Sequence, residues 1–200
     1  LRFATDICDE KGLTVYEGGT THDSGKAFAN WLNAKVALEE FDVRVNLKDI
    51  DWDMIENRYE AGQQRNPNTR LVQLDGLYSE DEAELARFCE FISAVRKDMP
   101  AGDLVGTQET VTPDQLRRIM EMEAKRGVIS HYLMCVEADG RWTGFTRVNY
   151  RADYGHYIGQ RVTGVLAEER GRGLGKWLKA GMLRLIKATY PDVEQIKTSY

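Results

Sequence analysis

A mixed α/β (α+β) fold, with a mixed central sheet flanked by helices, is the class this 200-residue chain predicts, and three stretches predict it. Residues 160–190 pass from a β-branched run through a glycine-rich turn into an amphipathic helix. Asp139-Gly140 stands between two apolar runs, a strong short-range hairpin signal. Thr112 with Gln115, and Pro113 at the first helical position, forms a capping box that opens a helix ahead of that hairpin.

In chain order, residues 13–21 read as a short strand closing in glycines. Ser24 is placed to cap a helix over 24–33 with Ala27, Phe28, Trp31 and Leu32 on one side. Residues 43–47 alternate as a strand does. From 49 to 70 the chain turns polar, with Asp49, Asp51 and Asp53 at its start, a short helix through Trp52, Ile55 and Tyr59, and the turn Asn66-Pro67-Asn68. These residues read as a linker, and the three acids as a solvated loop.

Residues 71–74 form a strand, and Ser79 with Glu82 is a capping box for a long helix bearing Leu85, Phe88, Cys89, Ile92 and Val95. The polar break at 98–103 ends it, and the second boxed helix carries Leu116, Ile119 and Met120 up to Gly127. Strands follow at 131–138 and 142–150, then at 155–166, and a last one begins at Glu194. Between the last two strands runs the helix with Leu174, Trp177, Leu178, Met182, Leu185 and Ile186 at helical spacing, ended by Pro191. Trp177 belongs to its core face.

Arg170-Gly171-Arg172-Gly173-Leu174-Gly175 joins strand to helix. Glycine removes the Cβ atoms that would hold a ligand off the backbone, and amides opening a helix lack intrahelical partners and carry partial positive charge. A phosphate suits that position, with Arg170, Arg172 and Lys176 as cations. The spacing excludes a P-loop, which needs four residues between its glycines and then Gly-Lys-Ser/Thr. It also misses GxGxxG, because the third glycine falls one residue early.

Composition bounds the rest. A net charge of −5 and a pI near 5.4 disfavour bulk nucleic-acid binding, so an anion must be held by a local site. Cys8, Cys89 and Cys135 are odd in number and widely spaced, which indicates neither a disulfide framework nor a zinc site, and no metal site is expected. A reducing cytoplasm is the simplest setting. No apolar run reaches membrane-spanning length, so no membrane partner is expected. His22 and His131 show no partner pattern.

The segment R-x-x-G-x-G after a strand, with Val165 five residues before Arg170, resembles the acetyl-CoA pyrophosphate loop of the GCN5-related N-acetyltransferase (GNAT) superfamily. The element order from residue 71 is similar to that fold up to its fifth strand. What precedes the linker is similar to the last third of another repeat, as in tandem-GNAT proteins related to mycothiol synthase. The resemblance implies 1–48 as the end of a first repeat, 49–70 as a linker, and 71–200 as a second repeat truncated after its fifth strand. It makes the chain a piece of a longer protein.

The resemblance further implies acetyl-CoA as cosubstrate. Val165 and Leu166 would pair with the pantetheine arm, the amides of Arg170, Gly171, Arg172, Gly173, Leu174 and Gly175 would bind pyrophosphate, and Lys176 would add a phosphate contact. Gly164 would shape the acyl channel, and Phe88, Phe91 and Met120 the acceptor pocket. A small-molecule amine would attack the thioester directly, with His156 and Tyr150 the candidates for proton transfer. Glu168 and Glu169 are expected to face solvent. A non-catalytic acyl-CoA-binding module with a structural or regulatory role is the alternative, and a homodimer stays open.

Overall fold

The computed structural model describes residues 2–15, 17–74, 81–97 and 110–199, and the chain divides into two compact units. In the first unit, within residues 1–39, the described elements are α1 (Arg2–Lys11) and α2 (Asp23–Trp31). Gly12, at φ +63°, closes α1: its N–H donates to the Asp9 carbonyl at 3.3 Å and the Leu13 N–H to the Cys8 carbonyl at 2.8 Å. The pair Lys11-Gly12 was the sequence signal for this unanticipated helix. The strand expected over 13–21 does not form in the described residues there. Leu13 and Val15 are exposed, and no neighbouring strand takes their backbone groups. Ser24 lies inside α2, whose N-cap is His22.

The second unit holds one six-stranded sheet of order β1-β6-β5-β4-β3-β2, with β1 (Asp42–Asn46), β2 (Thr69–Leu74), β3 (Val128–Glu137), β4 (Trp142–Arg151), β5 (Tyr157–Val165) and β6 (Gln195–Ser199). β5 and β6 run parallel, and every other neighbouring pair is antiparallel. Gly140, at φ +84°, makes the expected turn between β3 and β4. The expected order from residue 71, strand, helix, helix, three strands, helix, strand, is the order observed.

Helices cover both faces of the sheet, which is why β3 reads as a nearly continuous apolar run. On one face α4 (Glu82–Lys97) and α5 (Pro113–Lys125) pack on Tyr132, Met134, Val136 and Phe145. Phe88 is fully buried there, with Tyr132, Trp142 and Phe145 edge-on at 5.6–6.5 Å. The Thr112–Gln115 capping box opens α5 as expected. At α4, Ser79 lies outside the described residues, and the Asp81 carboxylate accepts from the Ala83 and Glu84 N–H groups.

On the other face α6 (Leu174–Thr189) buries Trp177, Leu178, Met182 and Ile186 against Leu133, Cys135, Val148 and Ile158. Burial on that scale stabilises by about 1.5–3 kcal/mol per large side chain. Residues 49–70, read as a linker, carry α3 (Trp52–Arg65), a 14-residue helix, and the first residues of β2. Asp51 is no solvated loop acid: its carboxylate caps α3 by accepting from the Met54 N–H at 2.9 Å. α3 lies along α6, with Tyr59 edge-on to Trp177 at 6.3 Å, the Arg184 guanidinium 4.0 Å from the Tyr59 ring and the Lys187 ammonium 4.1 Å from the Trp52 ring.

Gly62 permits that contact. A Cβ there would stand 2.3 Å from Cγ and 2.6 Å from Cβ of Trp177. Those atoms are close to the α6 backbone and cannot swing away. Gly62→Ala gains about 1 kcal/mol of helix propensity, and overpacking costs about 1–3 kcal/mol or more. The net expectation is a loss: a thermal melt of Gly62→Ala should fall several degrees below the parent.

Candidate functional site

The site begins where the sheet comes apart. β5 pairs with β6 only from Tyr157 to Gly159, opposite Gln195 to Lys197, while its other edge stays on β4 from Ile158 to Val165. Residues 160–165 therefore have one edge without a strand partner. The cause lies in the β4–β5 register. Thr146 pairs with Thr163 and Val148 with Gln160, so Arg161 and Val162 together oppose the single residue Arg147. Such a bulge bends the strand and increases its local twist. Gln160 stitches it, its side-chain amide donating to the Arg147 carbonyl at 3.0 Å and the Thr146 hydroxyl at 3.1 Å, and Thr146 and Thr163 share a 2.8 Å hydroxyl bond.

β5 then delivers the chain through a 3₁₀ turn, Ala167–Glu169, into the glycine segment. Gly171 and Gly173 both sit at φ +81°, backbone that side-chain-bearing residues rarely adopt, and Gly173 is the N-cap of α6. The amides that open α6 face a pocket of about 390 Å³ lined by Arg65, Val165, Glu169, Arg170, Gly171, Gly173, Leu174, Gly175 and Lys176. Arg170, Lys176 and Arg65 are exposed at its rim. Free helix-start amides, left-handed glycines and three cations suit a bound phosphate group.

Of the nine expected cosubstrate-binding residues, Leu166 and Arg172 stand apart from this lining. The Leu166 N–H donates to the Thr143 carbonyl at 3.0 Å and its carbonyl accepts from the Glu169 N–H at 3.0 Å, so the free edge of β5 stops at Val165. Arg172 turns behind the turn. Its guanidinium donates to Glu137 at 2.9 Å, to the Thr69 hydroxyl at 2.7 Å and to the Asn66 side-chain oxygen at 3.1 Å, and it pairs with Glu169. Glu137 also accepts from the Thr69 and Thr143 hydroxyls at 2.9 and 3.0 Å. Asn66, buried at 3% exposure, donates to the carbonyls of Gly62 and Arg172 at 2.9 and 3.3 Å. Arg172 is thus a strut between α3, β2, β3 and the turn.

Glu169 does not face solvent as expected. Its carboxylate accepts from Arg141 at 3.1 Å and from Arg172, which neutralises the one acid at the pocket. Burial works to raise the Glu137 carboxyl, but bonds from Arg172, Thr69 and Thr143 outweigh it and hold it below its ordinary range.

The other expected site residues lie elsewhere. His156 is exposed and precedes β5, at the end away from the glycine turn. Tyr150 pairs with Ile158, seven residues or roughly 23 Å of strand from Val165, and its ring lies 4.2 Å from that of Tyr190. Both stand on the side where β5 and β6 are still paired. His131 has a partner after all, the Tyr190 hydroxyl at 2.6 Å. A Cβ on Gly164 would meet Val95 of α4 at 2.1 Å, so helix packing fills the space expected to shape an acyl channel. Phe88, Phe91 and Met120, expected in an acceptor pocket, are buried core. Trp177 is core as read, 2% exposed.

No family model and no curated protein matches the sequence. Solved structures do. A tandem GNAT protein from the clavulanic acid biosynthesis pathway, solved without acetyl-CoA, superposes with a TM-score of 0.64 at 20% identity over 93% of this chain and 52% of its own. A GCN5-related N-acetyltransferase from Sphaerobacter thermophilus gives 0.54 at 15% identity over 100% and 56%. A GCN5-related glucosamine N-acetyltransferase region of a fungal multi-domain β-N-acetylglucosaminidase gives 0.55 at 16% over 92% and 20%. The chain spans about half the length of the first two. The split sheet and its glycine-opened helix define a mixed α/β class with a cleft at a parallel strand pair. The fold within that class is that of the GCN5-related N-acetyltransferases.

The Glu137–Arg172 strut gives a signed pH dependence. The Glu137 carboxyl is lowered in the folded chain, so its contribution is complete above the ordinary carboxylate range and is lost as pH falls through the lowered value. Glu137→Gln should lose about 1–3 kcal/mol at pH 7. Its thermal midpoint should also fall less steeply than the parent's between about pH 5 and pH 3. Parallel slopes for the two proteins would contradict this account.

Proposed function

We propose that the chain is an acetyl-CoA-dependent N-acyltransferase that acetylates a small amine, and that it is the end of one GNAT-like repeat followed by most of another, working in the cytoplasm. The observation that carries the reading is the unpaired edge of β5 from 160 to 165 running directly into the open amides of the glycine turn. An extended arm can add to that edge as a strand does, while a diphosphate at its end meets the helix start. The residues present fit such a ligand: the left-handed glycines leave the amides uncovered, and the rim is cationic.

Acetyl-CoA would supply an activated thioester whose carbonyl carbon the amine nitrogen attacks, the C–S bond breaking to release the thiolate, and water carrying the proton lost by nitrogen to the sulfur to give the CoA thiol. In this chain the β5 edge orients the arm and an N–H along it is placed to stabilise developing negative oxygen. Arg170 and Lys176 offset the phosphate charge. No residue of the chain forms an acyl intermediate in this reading. Cys135 is fully buried, and burial, with Glu137 nearby, pushes its thiol up to about 12. Cys89 is buried in the opposite core. His156 and Tyr150 are given no proton-transfer role, because both stand beyond the split.

Isothermal titration of the intact chain with acetyl-CoA tests the reading, beside an Arg170→Ala, Gly173→Val double variant that removes a rim cation and strains the turn. Binding by the parent and none by the variant is expected, as is thiol release with at least one amine of a screened panel. Binding without release for any amine would select a non-catalytic acyl-CoA module, and no binding would end both. In an active preparation His156→Ala and Tyr150→Phe should each keep kcat within about threefold. A loss of 100-fold in either would restore it as a catalytic residue.

A further inference from the structure

We infer that Arg65, the last residue of α3, is a binding residue for the diphosphate of the ligand, so that a helix outside the strand–turn–helix segment completes the site. The inference rests on the acetyl-CoA reading above. Arg65 lines the same pocket as the glycine turn, and its Nη1 lies 3.0 Å from where a Cβ on Gly173 would stand. That places a guanidinium beside the left-handed residue whose amide and neighbours open α6.

Its position is fixed from the adjoining residue. Asn66 is buried and exchanges bonds with Arg172, its side-chain amide donating to the Arg172 carbonyl and its oxygen accepting from the Arg172 guanidinium. The backbone at the end of α3 is therefore clamped to the turn, and the arm of Arg65 need travel only its own length. Glu169, the carboxylate in the pocket, is already matched to Arg141 and Arg172. Among the described residues Arg65 has no ion pair of its own. A basic residue in the last turn of a helix also complements the helix dipole, but that requires no reach into a pocket. A guanidinium that presents a planar fork of donors to an uncovered turn suits two phosphate oxygens.

The test is titration of the parent, Arg65→Ala and Arg65→Lys with acetyl-CoA and with its 3′-dephospho form, using the Gly173→Val chain as the reference for a destroyed turn. Arg65→Ala should weaken both ligands about 10-fold or more, and by the same factor. Arg65→Lys should recover part of that loss, and all three proteins should melt within a few degrees of one another because the side chain is exposed and has no ion pair among the described residues. Equal affinities for parent and Arg65→Ala, with Gly173→Val unable to bind, would overturn the role of Arg65 and leave the acetyl-CoA reading standing. A loss with acetyl-CoA that disappears with the 3′-dephospho form would move Arg65 to the 3′-phosphate and overturn the diphosphate assignment. A parent that binds neither ligand would end both readings.

Discussion

The second unit depends on two parallel strands separating after three residues of pairing. A parallel sheet normally continues its ladder, because unpaired N–H and C=O groups in a covered position are costly. Here the extra residue of the β4–β5 bulge bends β5, and the side chain of Gln160 takes up acceptors that the bulge leaves without a strand partner. What remains without a strand partner is one outward edge, from 160 to 165, aligned with the amides at the start of α6, where the Gln160 amide and the Arg170 guanidinium donate to the Arg161 and Val165 carbonyls at 3.2 and 3.4 Å. The split in the sheet and the pocket at the glycine turn follow from one local irregularity.

That arrangement is held from behind. The glycine turn has little side-chain packing of its own, and backbone with left-handed residues costs entropy to fix. Arg172 supplies the fixing: through Glu137 it ties the turn to the hairpin, through Thr69 to β2, and through Asn66 to α3. A partly buried guanidinium with several donors satisfied is a stiffer anchor than a lysine in the same place. The division of labour between neighbouring arginines follows from geometry. Arg170 stays at the rim and Arg172 is consumed by structure.

The sequence showed most of the second unit because its signals were local. The capping box at Thr112, the Asp139-Gly140 turn, the α6 stripe and the glycine run each work within a few residues, and each is where it was expected. Readings failed where the deciding contact was distant. Residues 13–21 have strand composition but no partner edge among the described residues, and the short helix expected through Trp52, Ile55 and Tyr59 runs on to Arg65, held where Gly62 meets a tryptophan 115 positions later. Arg172 looked like a phosphate ligand because glycines flank it, and nothing nearby in sequence points to Glu137 or Asn66. His156 and Tyr150 lie where β5 starts and β4 ends, and strand direction sets that end away from the glycine turn.

α3 links the packing of the sheet face to the glycine turn. Its apolar side offers little area, so its place depends on the close approach that Gly62 allows, on the edge contact of Tyr59 and on the cation contacts from Arg184 and Lys187. That approach sets the height of its last turn over α6. With the height set, Asn66 reaches the Arg172 carbonyl and the residue before it reaches the pocket. A change at the Gly62–Trp177 contact, outside the pocket lining, would therefore displace the turn as well as the helix. Stability of the fold and shape of the pocket rest on the same few ångströms.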